Sequence, residues 1–224
     1  MMHAFADRAE AGRLLADELS EVAALQPIVL AIPRGGVEVG AALAAAIGSE
    51  LDVVLARKLR APFQPELAIG AVSEDGSMQL VPGWETVPGV TTSMIDEERT
   101  IQLREMDRRR ILFRAVRPSV PLAGRHVIVT DDGIATGATM IAALRAVRGR
   151  GVASVTVAVP VASPERLEDI RPLCDRLVCL LTPASFLAVG QFYRTFDQVE
   201  DARVVDLLRA AILPRGPSGP PSPS

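Results

Sequence analysis

Histidine and cysteine are scarce in this chain of 224 residues, which contains two of each. Cys174 and Cys179 are separated by four residues, and His3 and His126 lie far from both of them in the sequence. Structural zinc sites need four Cys or His ligands in close groups, so the sequence argues against a zinc centre. We expect both thiols to be reduced and buried by packing, because free cysteine is among the most buried residue types.

The sequence also lacks a basic excess and a long apolar run. Its formal net charge is −3, which gives no general attraction to nucleic acid or to an anionic membrane. No segment reads as a secretory signal, a transit peptide or a membrane-spanning helix. We therefore expect a cytoplasmic globular protein whose main partner is neither nucleic acid nor a membrane.

Segments typical of strands and helices alternate along most of the chain. Apolar, β-branched runs predict strands at 28–32, 51–59, 126–130, 154–160 and 176–181, and helical patterns cover 4–22, 37–48, 138–148, 164–173 and 201–213. Such alternation with short connections predicts an α/β fold with a doubly wound, mostly parallel sheet. Residues 61–90 are punctuated by Pro and Gly and predict an exposed loop and a hairpin, followed by a polar helix over 91–114.

No linker rich in Ser, Gly or Pro divides the first 213 residues, which indicates one domain. Residues 214–224 are too rich in Pro and Ser to pack and predict a disordered tail. Arg108–Arg110 is surrounded by acidic residues and is interpreted as a solvated helix face rather than a nucleic-acid patch.

The segment VIVTDDGIATGATM, residues 127–140, joins an apolar run to two acids and a turn of small residues. The N-terminus of a helix presents unpaired amides and a partial positive charge, so a small-residue turn entering a helix favours an anion. Asp131 and Asp132, the acid pair, would repel a phosphate and are expected to face sugar hydroxyls or a cation. A phosphorylated sugar meets both demands, whereas an acidic helix cap, the alternative, needs only one of these residues.

This segment resembles the motif by which type I phosphoribosyltransferases bind phosphoribosyl pyrophosphate (PRPP): four apolar residues, two acids, two variable residues and a loop of small residues. The resemblance implies that the acid pair binds the 2′ and 3′ hydroxyls of the ribose. It also implies that a phosphate loop wraps the 5′-phosphate. The residues of that loop are Ala135, Thr136, Gly137, Ala138 and Thr139.

AIPRGG, at the end of the first predicted strand, resembles the pyrophosphate loop of the same family. Arg34, Gly35 and Gly36 carry this resemblance, and a plain turn is the alternative. Arg57 and Lys58, placed at the end of the next predicted strand, resemble a further position that contacts pyrophosphate; a cation extending to solvent from a strand end is the alternative. Residues 60–77 take the place of the family's flexible catalytic loop.

The resemblance implies a transferase in which a nitrogen nucleophile attacks C1 of PRPP and displaces pyrophosphate, with Mg²⁺ as cofactor. The predicted catalytic residues are Arg34 and Lys58, which stabilise the leaving group, and the acid pair, which favours the positive sugar ring. Contact between the acid pair and Mg²⁺ is expected to be indirect, through PRPP or water. Ala135 stands where members acting on 6-oxopurines carry a carboxylate, and Ala138 where several carry a lysine, which argues against that subgroup.

Four of the chain's eight aromatic residues lie between 186 and 196. The resemblance implies a core at about 26–181 and a small hood, formed by residues 182–213 with the N-terminal helix, that covers the acceptor base. We predict Phe192 and Tyr193 as stacking residues, with core packing as the alternative. The partners implied are PRPP and a small nitrogenous acceptor, and a homodimer is expected because family members commonly pair. Two other functions fit the same loops: a PRPP-binding regulator without turnover, and a PRPP-binding subunit that acts with a partner protein.

Overall fold

Five parallel strands form the main sheet in the computed structural model, which describes residues 5–212. Their order is β2-β1-β6-β7-β8, with β1 at Ile28–Ala31, β2 at Glu50–Val53, β6 at His126–Thr130, β7 at Ser154–Val161 and β8 at Arg176–Leu181. All four residues of β1 are buried, as are seven of the eight in β7, because helices cover both faces of the sheet. This arrangement confirms the predicted α/β fold.

Seven helices accompany the sheet within the described part of the chain. They are α1 (Arg8–Asp17), α2 (Ser20–Ala23), α3 (Gly35–Ile47), α4 (Thr92–Arg114), α5 (Ala138–Arg148), α6 (Pro164–Ile170) and α7 (Asp201–Ile212). Asp7 caps α1, since its side chain accepts a hydrogen bond from the amide of Glu10. Gly48 ends α3 in the left-handed conformation, with φ 70°, which costs glycine little. None of these helices is long and apolar enough to cross a membrane.

A separate antiparallel sheet interrupts the alternation. It consists of β3 (Ala56–Ala61), β4 (Gln64–Ser73) and β5 (Met78–Leu80), and α4 follows it. The single strand predicted over 51–59 is therefore wrong: it divides at Val54 and Leu55 between the two sheets. The reason is long-range pairing, because Ala56 pairs with Ser73 and Lys58 with Ala71, which turns the chain away from the parallel sheet.

The segment after β8 packs against the start of the chain. Phe5 forms a bridge with Tyr193, and the amides of Arg194 and Thr195 donate to the carbonyls of Phe5 and Ala6 at 2.9 Å. The N-terminal segment and residues 192–195 thus lie together above the acid pair.

The predicted tail, 214–224, lies outside the described residues. Both cysteines are free and half-buried, less enclosed than we expected.

Candidate active site

The two loops singled out in the sequence lie side by side. Strands β1 and β6 are neighbours in the parallel sheet, and the amide of Ile32, just after β1, donates to the carbonyl of Thr130 at 2.9 Å. After β1 the chain proceeds to β2 on one side, and after β6 it proceeds to β7 on the other. Such a reversal of strand order opens a crevice at the carboxyl ends of the strands, where α/β proteins bind ligands.

The phosphate loop leads directly into α5. Gly137 is the N-cap residue, with φ 78°, a conformation that a residue with a side chain rarely adopts. No side chain caps the helix, and no acidic residue lies in its first turn. Thr136 and Thr139 are exposed. The loop therefore offers amides and two hydroxyls to an anion at the positive end of a helix.

The acid pair and the pyrophosphate loop are in contact. A Cβ added at Gly35 would overlap Oδ2 of Asp132, and one added at Gly36 would lie 2.8 Å from Cα of Asp131. Only glycine therefore leaves room for the two loops to approach in this way. The amide of Asp132 also donates to Oδ1 of Asp131 at 2.8 Å, which fixes the first acid relative to the second.

Burial raises the pKa of both acids above the ordinary value. For Asp131 the charge of Asp132 adds to this effect, so its pKa lies well above the usual range. For Asp132 the hydrogen bond and charge of Arg8 oppose burial. Two adjacent carboxyls thus share one positively charged neighbour, an arrangement that favours a ligand able to donate hydrogen bonds or bring a cation.

Arg8, at the start of α1, is a site residue that the sequence analysis missed. Its Nε donates to Oδ2 of Asp132 at 2.8 Å, although its side chain is only 7% exposed. Periodicity placed Arg8 on an amphipathic helix but could not show that this helix packs against the end of β6. A buried arginine beside the acid pair is a consequence of tertiary packing.

Tyr193 lies in the core and not on the surface of the site, which corrects its prediction as a stacking residue. It is 2% exposed, stacks on Phe196 with ring centroids 5.0 Å apart, and donates its hydroxyl to the carbonyl of Asp132 at 2.7 Å. The Tyr193 ring thus has no free face for a base, and its hydroxyl anchors the main chain of the acid pair. Phe192 is half-buried against Phe186, with centroids 5.3 Å apart, and its role stays a prediction.

A basic cleft of about 360 Å³ opens beside the phosphate loop. It is lined on one side by Thr136, Ala138 and Thr139. The other side carries cationic side chains from the antiparallel sheet and α4, namely Arg57, Lys58, Arg60 and Arg109. Arg57 and Lys58 thus belong to β3 and not to a strand of the parallel sheet, and they still lie near the phosphate loop.

Acidic and amide groups hold several of these cations in place. Nε of Arg57 donates to Oε1 of Gln102 at 2.7 Å, and its Nη2 pairs with Glu105. Arg109 lines the cleft, so one member of the Arg108–Arg110 run faces the site, and its Nε lies 3.3 Å from Oδ1 of Asp201. Residues 60–77 contain the end of β3 and the whole of β4, so the segment predicted as a loop is largely paired strand.

Arg34 lines a different cavity from the cations of the basic cleft. It is the N-cap residue of α3, and its Nη1 lies 3.3 Å from Glu200, just before α7. A second cavity, of about 370 Å³, is lined by Arg8, Arg34, Gly35, Asp132 and residues 196–199. Asp132 thus faces a cavity under the hood, whereas the phosphate loop that follows the acid pair lines the basic cleft. A larger cavity of about 970 Å³, lined by α3 and α7, contains neither the acid pair nor the phosphate loop.

The described residues contain no cluster of three or more His, Cys, Asp or Glu arranged to hold a metal ion. Mg²⁺ in nucleotide-type sites keeps several waters and takes one or two carboxylates together with the phosphates of the substrate. The acid pair fits that limited contribution, because it supplies two carboxyls next to the cleft.

Together the fold and the site define a class: an α/β domain with two small-residue loops and an acid pair at the switch point of a parallel sheet. A model of the phosphoribosyl transferase domain matches residues 6–196. The chain therefore belongs to the phosphoribosyl transferase domain family, as the resemblance predicted.

Several relatives share this sequence. A protein of Mycobacterium tuberculosis named as a phosphoribosyl transferase is 42% identical over 210 residues, which is 94% of this chain and 47% of that protein. A uracil phosphoribosyltransferase of Streptomyces griseus is 35% identical over 119 residues, covering 53% of this chain and 51% of its own. The chain thus spans about half the length of these curated relatives. The crystal structure of TT1426 from Thermus thermophilus is 42% identical, with a TM-score of 0.89, covering 93% of this chain and 99% of that one.

Proposed function

We propose that this protein is a phosphoribosyltransferase that transfers ribose 5-phosphate from PRPP to a nitrogen acceptor and releases pyrophosphate. The observation that carries the proposal is the packing of Gly35 and Gly36 against the acid pair. This contact joins the two loops into one site at the switch point of the sheet, and the residues of the two loops line both the basic cleft and the cavity under the hood. Membership of the family supports the same activity.

The 5′-phosphate of PRPP binds the phosphate loop, and the ribose binds the acid pair. The uncapped N-terminus of α5 supplies amides to the phosphate, with Thr136 and Thr139 as additional donors. Carboxylates accept hydrogen bonds from the vicinal hydroxyls of the ribose. Hydrogen bonds to charged groups contribute about 1.5–3 kcal/mol each, so the acid pair accounts for a large part of the affinity.

The pyrophosphate group binds the pyrophosphate loop and the cationic side of the basic cleft. Arg34 belongs to the loop, whereas Arg57 and Lys58 approach from β3. Fixed positive charge at the leaving group stabilises the transition state, because negative charge builds up there as the bond to C1 breaks. Asp131 and Asp132 would hold Mg²⁺ indirectly, through PRPP or water, and the ion would supply Lewis-acid neutralisation of the pyrophosphate.

As the leaving group departs, C1 of the ribose becomes positive, and Asp131 and Asp132 lie where a negative charge stabilises it. The acceptor nitrogen attacks C1 from the face opposite to pyrophosphate and inverts its configuration. The hood also keeps water from the sugar, which limits hydrolysis of PRPP. Ala135 cannot exchange a proton with the acceptor, so the acceptor must lose its own proton to another group or to water.

The test is release of pyrophosphate from PRPP and Mg²⁺ in the presence of individual acceptors. The panel includes uracil, because relatives over half of the chain are named for it, together with adenine, hypoxanthine, guanine and nicotinate. Turnover with one acceptor, lost on Asp131→Asn, supports the enzyme. Saturable PRPP binding without turnover on any acceptor would refute it and favour a regulator or a subunit that needs a partner.

A further inference from the structure

Arg8 joins three parts of the molecule at the acid pair. The residue belongs to α1, and its Nε donates to Oδ2 of Asp132 at the end of β6. Its Nη1 donates to the carbonyl of Asp197 at 2.9 Å, and its guanidinium carbon lies 3.8 Å from the ring centre of Phe196. Both of these partners belong to the C-terminal part of the hood, residues 182–213. Arg8 thus links the N-terminal helix, the acid pair and the C-terminal part of the hood through one side chain.

The guanidinium is held rigidly and away from solvent. Glu38 of α3 lies 3.7 Å from Nη1, so a second carboxylate balances its charge. Phe196 is in turn stacked on Tyr193, whose hydroxyl binds the carbonyl of Asp132. The side chain of Asp132 is therefore fixed by Arg8 and its main chain by Tyr193, and Phe196 connects these two supports. A guanidinium is suited to this position because its donors point in fixed directions and its flat face packs on an aromatic ring.

The contact also leaves Asp132 able to bind a ligand. Arg8 engages Oδ2, and a carboxylate has a second oxygen with further acceptor positions. A cation at this point offsets the repulsion between Asp131 and Asp132, and it limits the orientations that the Asp132 carboxylate can take. A preorganised acceptor loses less entropy when it binds a hydroxyl than a freely rotating one does.

We propose that Arg8 is a positioning residue that holds Asp132 ready for the ribose hydroxyls and couples the hood to ribose binding. This inference rests on the proposed function, since it assigns Arg8 a role in PRPP binding. It makes α1 part of the active site, and not only a cover for the sheet.

The test compares Arg8→Ala, Arg8→Gln and Arg8→Lys with the wild-type protein by calorimetric titration with PRPP and Mg²⁺. Arg203→Ala is the matched control, because Arg203 also pairs with Glu38, at 3.2 Å, but is 57% exposed. We expect at least a tenfold loss of PRPP affinity in the Ala and Gln variants, a smaller loss in the Lys variant, and none in the control. An Arg8→Ala variant that is less stable but binds PRPP within twofold of wild type would show a purely structural role and overturn the inference.

A second measurement separates this inference from the proposed function. Urea unfolding of Arg8→Ala, Asp132→Asn and the double variant gives the coupling between the two side chains without any ligand. We expect the two effects to be strongly non-additive. If the wild-type protein binds no PRPP, the proposed function fails. Additive effects in the cycle would overturn the contact between Arg8 and Asp132 as well, and non-additive effects would uphold that contact. If Arg8→Ala does not fold, Arg8→Gln takes its place in the cycle.

Discussion

Replacing Tyr193 with Phe tests the claim that this residue supports the acid pair from behind and does not stack on the acceptor. The substitution keeps the ring, and so its contacts with Phe5 and Phe196, but removes the hydroxyl that donates to Asp132 at 2.7 Å. A hydrogen bond contributes about 0.5–1.5 kcal/mol, and a buried carbonyl left without its donor costs about 1–3 kcal/mol. We expect the free energy of unfolding to fall by about 1–2 kcal/mol, since the two effects overlap.

Urea unfolding followed by circular dichroism measures this change. Thr86→Val is the matched control, because the Thr86 hydroxyl also donates to a carbonyl, that of Gly83, at 2.7 Å but is exposed. Water replaces that bond, so we expect a change below about 0.5 kcal/mol. Tyr193 is the chain's one tyrosine, and burial, followed by the charge of Asp132, raises its pKa. Ordinary phenolate titration in the folded protein, or equal stability of Tyr193→Phe and wild type, would refute this placement.

Three further predictions concern the acid pair, a buried ion pair and the basic cleft. Burial and the charge of Asp132 raise the pKa of Asp131, so ionisation of Asp131 lowers the stability of the folded protein as pH rises. Asp131→Asn should therefore raise the Tm at neutral pH, with little gain near the ordinary Asp pKa of about 3.9. A gain in Tm that does not depend on pH would contradict this. Arg114→Ala removes the guanidinium that lies 2.6 Å from Asp52, a residue that is 2% exposed, and should lower the free energy of unfolding in urea by about 3–5 kcal/mol. For the control Arg110→Ala, whose ion pair with Asp107 is exposed, we expect a decrease below about 1 kcal/mol. Lys58→Ala should weaken PRPP binding about tenfold or more and reduce its dependence on salt, and unchanged affinity in calorimetry would remove Lys58 from the site.

Local patterns predicted the parallel core well. The bounds of β6, α5 and β8 agree with the sequence predictions, because each has an apolar run with clear turn residues at its ends. Gly137 and the residues before it also identified the start of α5. These features depend on neighbours in the sequence.

The rest depended on contacts between distant residues. The division of 51–59 into two strands follows from pairing with β4, and no local signal separates Val53 from Ala56. Arg8 and Asp132 are 124 residues apart, so their contact could not be predicted from a helical pattern. Tyr193 was correctly placed in an aromatic cluster near the site, but composition cannot distinguish a ring that packs in the core from one that contacts a ligand.

PRPP affinity of the acid-pair variants tests the central claim most directly. We expect wild-type protein to bind PRPP with Mg²⁺ at a single site in calorimetry, and Asp131→Asn and Asp132→Asn to bind about 10- to 100-fold more weakly. Asp206→Asn is the control, since Asp206 is 66% exposed on α7. Retained affinity in both acid-pair variants, or no binding by the wild type, would contradict the account.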